Sequence, residues 1–201
     1  MITGIGFCGQ DPMPVVNADK LDYKGKSEMI IIITGASHSG KTRLAQLMME
    51  KYAYPYVSED HIKMGLIRSG YTDLTPEDDD RMTGYLWPVI REMIKTAVEN
   101  KQNLIIEGCY VPFGWKNDFS DDYLREIRFI CLCLSDGYID RHFDDIRKYA
   151  SCIEARLDDG YCTPDILKRE NGLYLEGCKK HHLDVALIEN DYIEGISRLL
   201  E

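Results

Sequence analysis

Two short stretches of this chain are almost wholly apolar, and the segments between them change period. The runs Met29 to Ile33 and Ile127 to Leu134 (IRFICLCL) are too short for buried helices and carry no polar alternation. They predict strands covered on both faces. Leu44, Ala45, Leu47, Met48 and Tyr52 recur at helical spacing behind the first run, as do Val89, Ile90, Met93, Ile94, Ala97 and Val98 further on. Pro88 marks a start or a kink in that second helix. Further strands are expected over Tyr54 to Val57, Asn103 to Gly108 and Asp184 to Glu189.

Helix starts follow from capping chemistry. Thr75-Pro76-Glu77-Asp78 and Thr163-Pro164-Asp165 each place a hydroxyl cap, a proline and acidic residues where a helix N-terminus favours them. A helix is predicted from near His61, another over Asp140 to Arg156 ended by Asp158-Asp159-Gly160, and a short terminal one through Leu199. Residues 1–28 show no clear period and read as an N-terminal extension before a domain over 29–201. Strands alternating with helices predict an α/β sandwich around a parallel sheet.

Composition narrows the partners. With 34 acidic and 24 basic residues, a formal charge of −10, the chain has no broad basic face for phosphate backbones, so no nucleic-acid partner is expected. Seven cysteines without a C-x-x-C pair suggest neither a disulfide framework nor a zinc site, and fit a reducing cytoplasm. No apolar run is long enough to span a membrane, so no membrane partner is expected. A monomer or homodimer suits this length.

Gly35 to Thr42, "GASHSGKT", matches the Walker A pattern at every specified position and sits between a predicted strand and a predicted helix. In such a loop, backbone N–H groups and the helix N-terminus cradle phosphate oxygens. Gly35, Ala36, Ser37, His38, Ser39, Gly40, Lys41, Thr42 and Arg43 are therefore the expected nucleotide-binding residues, His38 through its backbone only. Lys41 would neutralise the β and γ phosphates of ATP, and the Thr42 hydroxyl would ligate Mg²⁺. A guanine-reading N-K-x-D and an LSGGQ signature are both absent.

Residues 29–200 resemble the P-loop kinases of nucleotides and small molecules, a group with adenylate, shikimate and gluconate kinases, chloramphenicol phosphotransferase, 2-phosphoglycerate kinase and zeta-toxin kinases. "SEDHIK", Ser58 to Lys63, is similar to the Asp-then-basic segment after the second strand in the last three. "LIIEG", Leu104 to Gly108, is similar to their third-strand end. The resemblance implies a three-layer P-loop sandwich with a parallel sheet of about five strands and a helical lid, here about 137–165. It implies an ATP- and Mg²⁺-dependent kinase acting on a small-molecule acceptor. Adenylate kinases carry D-G-[FY]-P-R where this chain has Glu107 to Pro112, which argues against an ordinary AMP kinase.

Chemistry points to the same positions. An acceptor hydroxyl must be oriented and lose a proton, and strand carboxyl ends converge on the ligand crevice of such a sheet. Asp60 is the candidate base, with helix capping as its alternative role; Glu107 would hold Mg²⁺ or orient the acceptor. Arg141 and Arg147, with Arg156 behind them, are candidate lid cations for the transferring phosphoryl, or else partners of nearby aspartates. Arg68, Arg81 and Arg91 could hold an anionic substrate. Tyr110, Phe113, Trp115 and Trp87 could stack on a ring-bearing acceptor or pack internally, and Cys109 is the one thiol near the site. A nucleotide-binding switch or slow NTPase would use the same loop.

Overall fold

The computed structural model describes residues 30–150, 153, 160 and 162–201. The proposed extension 1–28, Arg156 and most of the segment 151–161 in the expected lid lie outside these residues.

Five parallel strands form one sheet in the order β2-β3-β1-β4-β5. β1 (Ile30–Gly35) is central, flanked by β3 (Leu104–Glu107) and β4 (Ile127–Leu134), with β2 (Tyr56–Ser58) and β5 (Val185–Ile188) at the edges. Every residue of β1 is buried. Its alternation explains why: Ile30 and Ile32 pack on one face of the sheet, Ile31 and Ile33 on the other.

Each face is covered by its own helices. On the first, Met82, Leu86, Ile90 and Ile94 of α3 (Asp79–Glu99) pack with Cys131, Cys133 and Cys178. On the second, Leu44, Ala45 and Met48 of α1 (Lys41–Tyr52), Ile139 of α5 (Asp136–Tyr149) and Ile196 of α7 (Tyr192–Leu200) meet Ile105, Ile130 and Leu132. α6 (Pro164–Lys180) gives Leu167 to this face and Cys178 to the other. The result is the expected three-layer α/β sandwich.

Several boundaries move, for local reasons. α2 (Glu59–Arg68) begins two residues before His61, directly off β2. Thr75 does not cap a helix: its N–H and hydroxyl both donate to Asp78 Oδ2, which closes a turn, and α3 starts only at Asp79. Pro88 lies inside α3 on its exposed face, where water can reach the Gly84 carbonyl that loses its partner. α5 starts at Asp136 because Ser135 accepts from the Tyr138 N–H. Thr163 caps α6 as expected, accepting from Ile166. A 3-10 turn at Trp115–Asp118 and α4 (Asp121–Leu124) join β3 to β4, and neither has a periodic signal in the sequence.

Candidate nucleotide and acceptor site

The glycine loop leaves β1 at Gly35 and enters α1 at Lys41. Gly35 has φ 144°, and a Cβ there would strike the Leu132 carbonyl on β4, so only glycine fits. His38 (φ 61°) and Gly40 (φ 87°) are left-handed, the backbone conformation from which anion-binding loops are built, and the Ser39 N–H closes a turn on the Ala36 carbonyl at 3.4 Å. The Tyr192 hydroxyl donates to the Gly40 carbonyl at 3.2 Å and fills the space a Cβ at Gly40 would need. Such a glycine-capped loop at a helix N-terminus suits an anion of several oxygens.

Lys41 folds back to donate to the Ala36 carbonyl at 3.2 Å. The bond holds the ammonium beside the loop's own Ala36 carbonyl. Thr42 donates to Glu107 Oε1 at 3.2 Å, while Tyr56 donates to Glu107 Oε2 at 3.0 Å. A hydroxyl and a buried carboxylate, side by side at a helix N-terminus, are hard oxygen donors of the type Mg²⁺ takes, so these residues fit that ion. Arg43 is half-buried in the first turn of α1.

The strand ends supply a carboxylate that sequence reasoning missed. Glu59, first residue of α2, is 0% exposed. Its Oε2 accepts from the Tyr110 N–H at 2.7 Å, and its Oε1 is buried without a hydrogen-bond partner. Gly108 makes room for it, since a Cβ at Gly108 would meet the Glu59 carboxylate. Burial pushes the carboxyl up to about 7; the Tyr110 N–H opposes this, the Glu107 charge adds to it and Lys41 opposes it. The only sequence hint was the Gly108 that follows the strand. Asp60, next to it, is exposed and acts electrostatically on Glu59, Cys109 and Tyr110.

The remaining candidates divide. Arg141 reaches the carboxyl end of β5, where it donates to the Glu189 carbonyl at 2.6 Å. Arg147 is exposed in the last turn of α5. Arg91 is tied to Glu92 and Asp118, and Arg81 lines an open groove with Thr72, Asp73, Leu74, Gly84 and Tyr85. Trp87 and Trp115 are core residues, edge-on to Phe119, and the Trp87 indole donates to Asp118. Packing accounts for these rings. Cys109 is half-buried, and burial pushes its thiol up to about 11. Among the described residues no His, Cys, Asp and Glu group forms a metal cluster, and no helix is long and apolar enough to cross a membrane.

The fold is similar to that of solved structures. A candidate kinase from Chloroflexus aurantiacus superposes with a TM-score of 0.54 at 15% identity, over 87% of this chain and 96% of that one. Deoxyadenosine kinase from M. mycoides with bound dATP gives 0.52 at 18% identity, over 86% and 97%. The fold is that of the P-loop kinases. No family model matches the chain, and no curated protein matches it. Beyond the fold, the P-loop kinase reading therefore rests on the site residues.

Proposed function

We propose that this chain is an ATP- and Mg²⁺-dependent phosphotransferase that moves the γ-phosphoryl group to a hydroxyl or phosphate of a small-molecule acceptor. The observation that carries the reading is the meeting, at the carboxyl ends of β1, β2 and β3, of a phosphate-shaped loop, the Thr42–Glu107 pair and the Glu59–Asp60 carboxylates. Fold neighbours described as kinases support the same class.

For a hydroxyl acceptor, the roles follow from exposure and charge. The loop N–H groups and Lys41 hold the phosphate chain, and Thr42 with Glu107 would hold Mg²⁺, which supplies charge neutralisation on the phosphates when bound. Asp60 is exposed, so it can touch an acceptor; Glu59 is wholly buried and cannot. Asp60 accepts the hydroxyl proton as that oxygen bonds to the γ phosphorus, and the bond to the bridging oxygen breaks with its electron pair leaving on ADP. Glu59 positions the start of α2 through its bond to Tyr110. Arg141 and Arg147 are proposed as phosphoryl-stabilising cations on the α5 side.

The test is ADP release from Mg-ATP by the purified chain across nucleosides, nucleotides, sugars, sugar acids and amino alcohols. Stimulation by one class establishes the kinase and names the acceptor. A flat panel with nucleotide still bound would sink the reading in favour of a switch or slow NTPase acting on a partner protein.

A further inference from the structure

The last helix is tied to α1 at both ends. At the far end the Tyr52 hydroxyl donates to the Leu200 carbonyl at 2.6 Å, the Lys51 ammonium donates to the same carbonyl, and Arg128 donates to the Leu199 carbonyl at 2.7 Å. These are final carbonyls of α7, which no helix N–H can reach. At the near end Tyr192, the first residue of α7, donates to the Gly40 carbonyl at 3.2 Å, although 152 residues separate the two. Asp191 fixes that first turn by accepting the Glu194 N–H at 2.7 Å, and Ile196 is buried in the same cluster as Leu44 and Met48. α7 therefore lies along α1 in the same direction, as a splint.

Gly40 is where a splint matters. Its φ of 87° is one of many conformations open to a glycine, and no side chain caps α1. The Gly40 carbonyl accepts twice, from the Leu44 N–H at 3.0 Å and from the Tyr192 hydroxyl. Because a peptide is planar and trans, fixing that carbonyl also fixes the N–H on its other side, which belongs to Lys41. That N–H is among those at the start of α1 that no helix carbonyl can accept, and so among the donors offered to an anion. The Tyr192 ring also stands where a Cβ at Gly40 would be, which narrows the room through which this peptide can turn.

We propose that Tyr192 is a positioning residue of the phosphate site: its hydroxyl, held by α7, presets the Gly40–Lys41 peptide for the anion. The proposal rests on the reading of Gly35 to Thr42 as a phosphate loop. Less binding free energy is then lost to ordering the glycine. Linkage makes the coupling reciprocal, so an anion that holds the loop also holds α7 against local opening.

The experiment is calorimetric titration of the full chain and of Tyr192→Phe with inorganic tripolyphosphate and with Mg-ADP, alongside amide hydrogen exchange. Tyr192→Phe keeps the ring and its packing and removes one oxygen. It should weaken both ligands by a similar factor, about threefold or more, as for the loss of one hydrogen bond. Saturating tripolyphosphate should slow exchange at Gly195 and Ile196 in the wild-type chain, and that protection should shrink in the variant. A hydroxyl with only a structural role would lower the urea midpoint and leave both affinities and the protection alone, which overturns the inference. Weakening confined to Mg-ADP also overturns it, since Tyr192 would then act on the base or sugar. If the wild-type chain binds Mg-ADP but not tripolyphosphate, the inference falls and the nucleotide reading stands; if it binds neither, both fall.

Discussion

Thr42 and Glu107, 65 residues apart in the chain, meet with the Thr42 hydroxyl 3.2 Å from Glu107 Oε1. The contact exists because β1 and β3 run parallel as neighbours, with Ile33 opposite Glu107, so the loop after one strand overhangs the end of the other. Glu107→Gln keeps the shape and removes the charge. We expect the Mg²⁺ concentration needed for half-maximal turnover to rise about tenfold or more, as when a metal's supporting carboxylate is lost. Nucleotide affinity measured in EDTA should change far less, and equal loss in both assays would remove Glu107 from the metal site.

Lys41→Ala and Asp60→Asn separate phosphate binding from proton transfer. The first should lower turnover roughly a hundredfold or more through lost charge stabilisation. The second should lower it by about the same factor while nucleotide affinity stays near wild type. Full turnover in Asp60→Asn would reduce Asp60 to a residue of the first turn of α2.

Glu59 predicts a pH dependence of stability. Its carboxyl rises from an ordinary 4.5 to about 7 on folding, so between those values the folded chain holds a proton that the unfolded chain has released. Stability from this group is therefore present below pH 4.5, falls as pH climbs from 4.5 to 7, and is flat above. The total loss is on the order of 3 kcal/mol. Glu59→Gln, which keeps an oxygen for the Tyr110 N–H, should flatten that slope in urea titrations run across the window. An unchanged slope would show that another group titrates there.

Gly35→Ala should destabilise the chain by about 1–3 kcal/mol, since φ 144° strains any side chain and the new Cβ meets backbone on β4 that cannot step aside. Its urea midpoint should fall, and nucleotide binding with it. Gly84→Ala is the control: open space surrounds that position inside α3, and its midpoint should hold or rise.

Much of the fold was legible residue by residue. The apolar run 127–134 is β4 to the residue, Thr163-Pro164 opens α6, and Gly35 to Thr42 named the loop before any contact was known. These signals are local: strand burial, capping and glycine conformations are each encoded within a few neighbours. Where two local options competed, the chain alone did not decide. Thr75-Pro76 carries a helix-start signal, yet the Asp78 carboxylate takes the Thr75 N–H and hydroxyl and closes a turn instead.

What tertiary structure decided was which charges are buried and whom they meet. The sequence singles out Asp60 and passes over Glu59 beside it; folding buries Glu59 against the Tyr110 N–H, 51 residues away, and leaves Asp60 in solvent. Lys63, in the sequence only the basic end of SEDHIK, is buried because α3 and the segment after β3 close over it. The amino-acid order sets periods, caps and turns because those depend on nearest neighbours. Desolvation and through-space charge depend on strand order, which only the assembled sheet supplies.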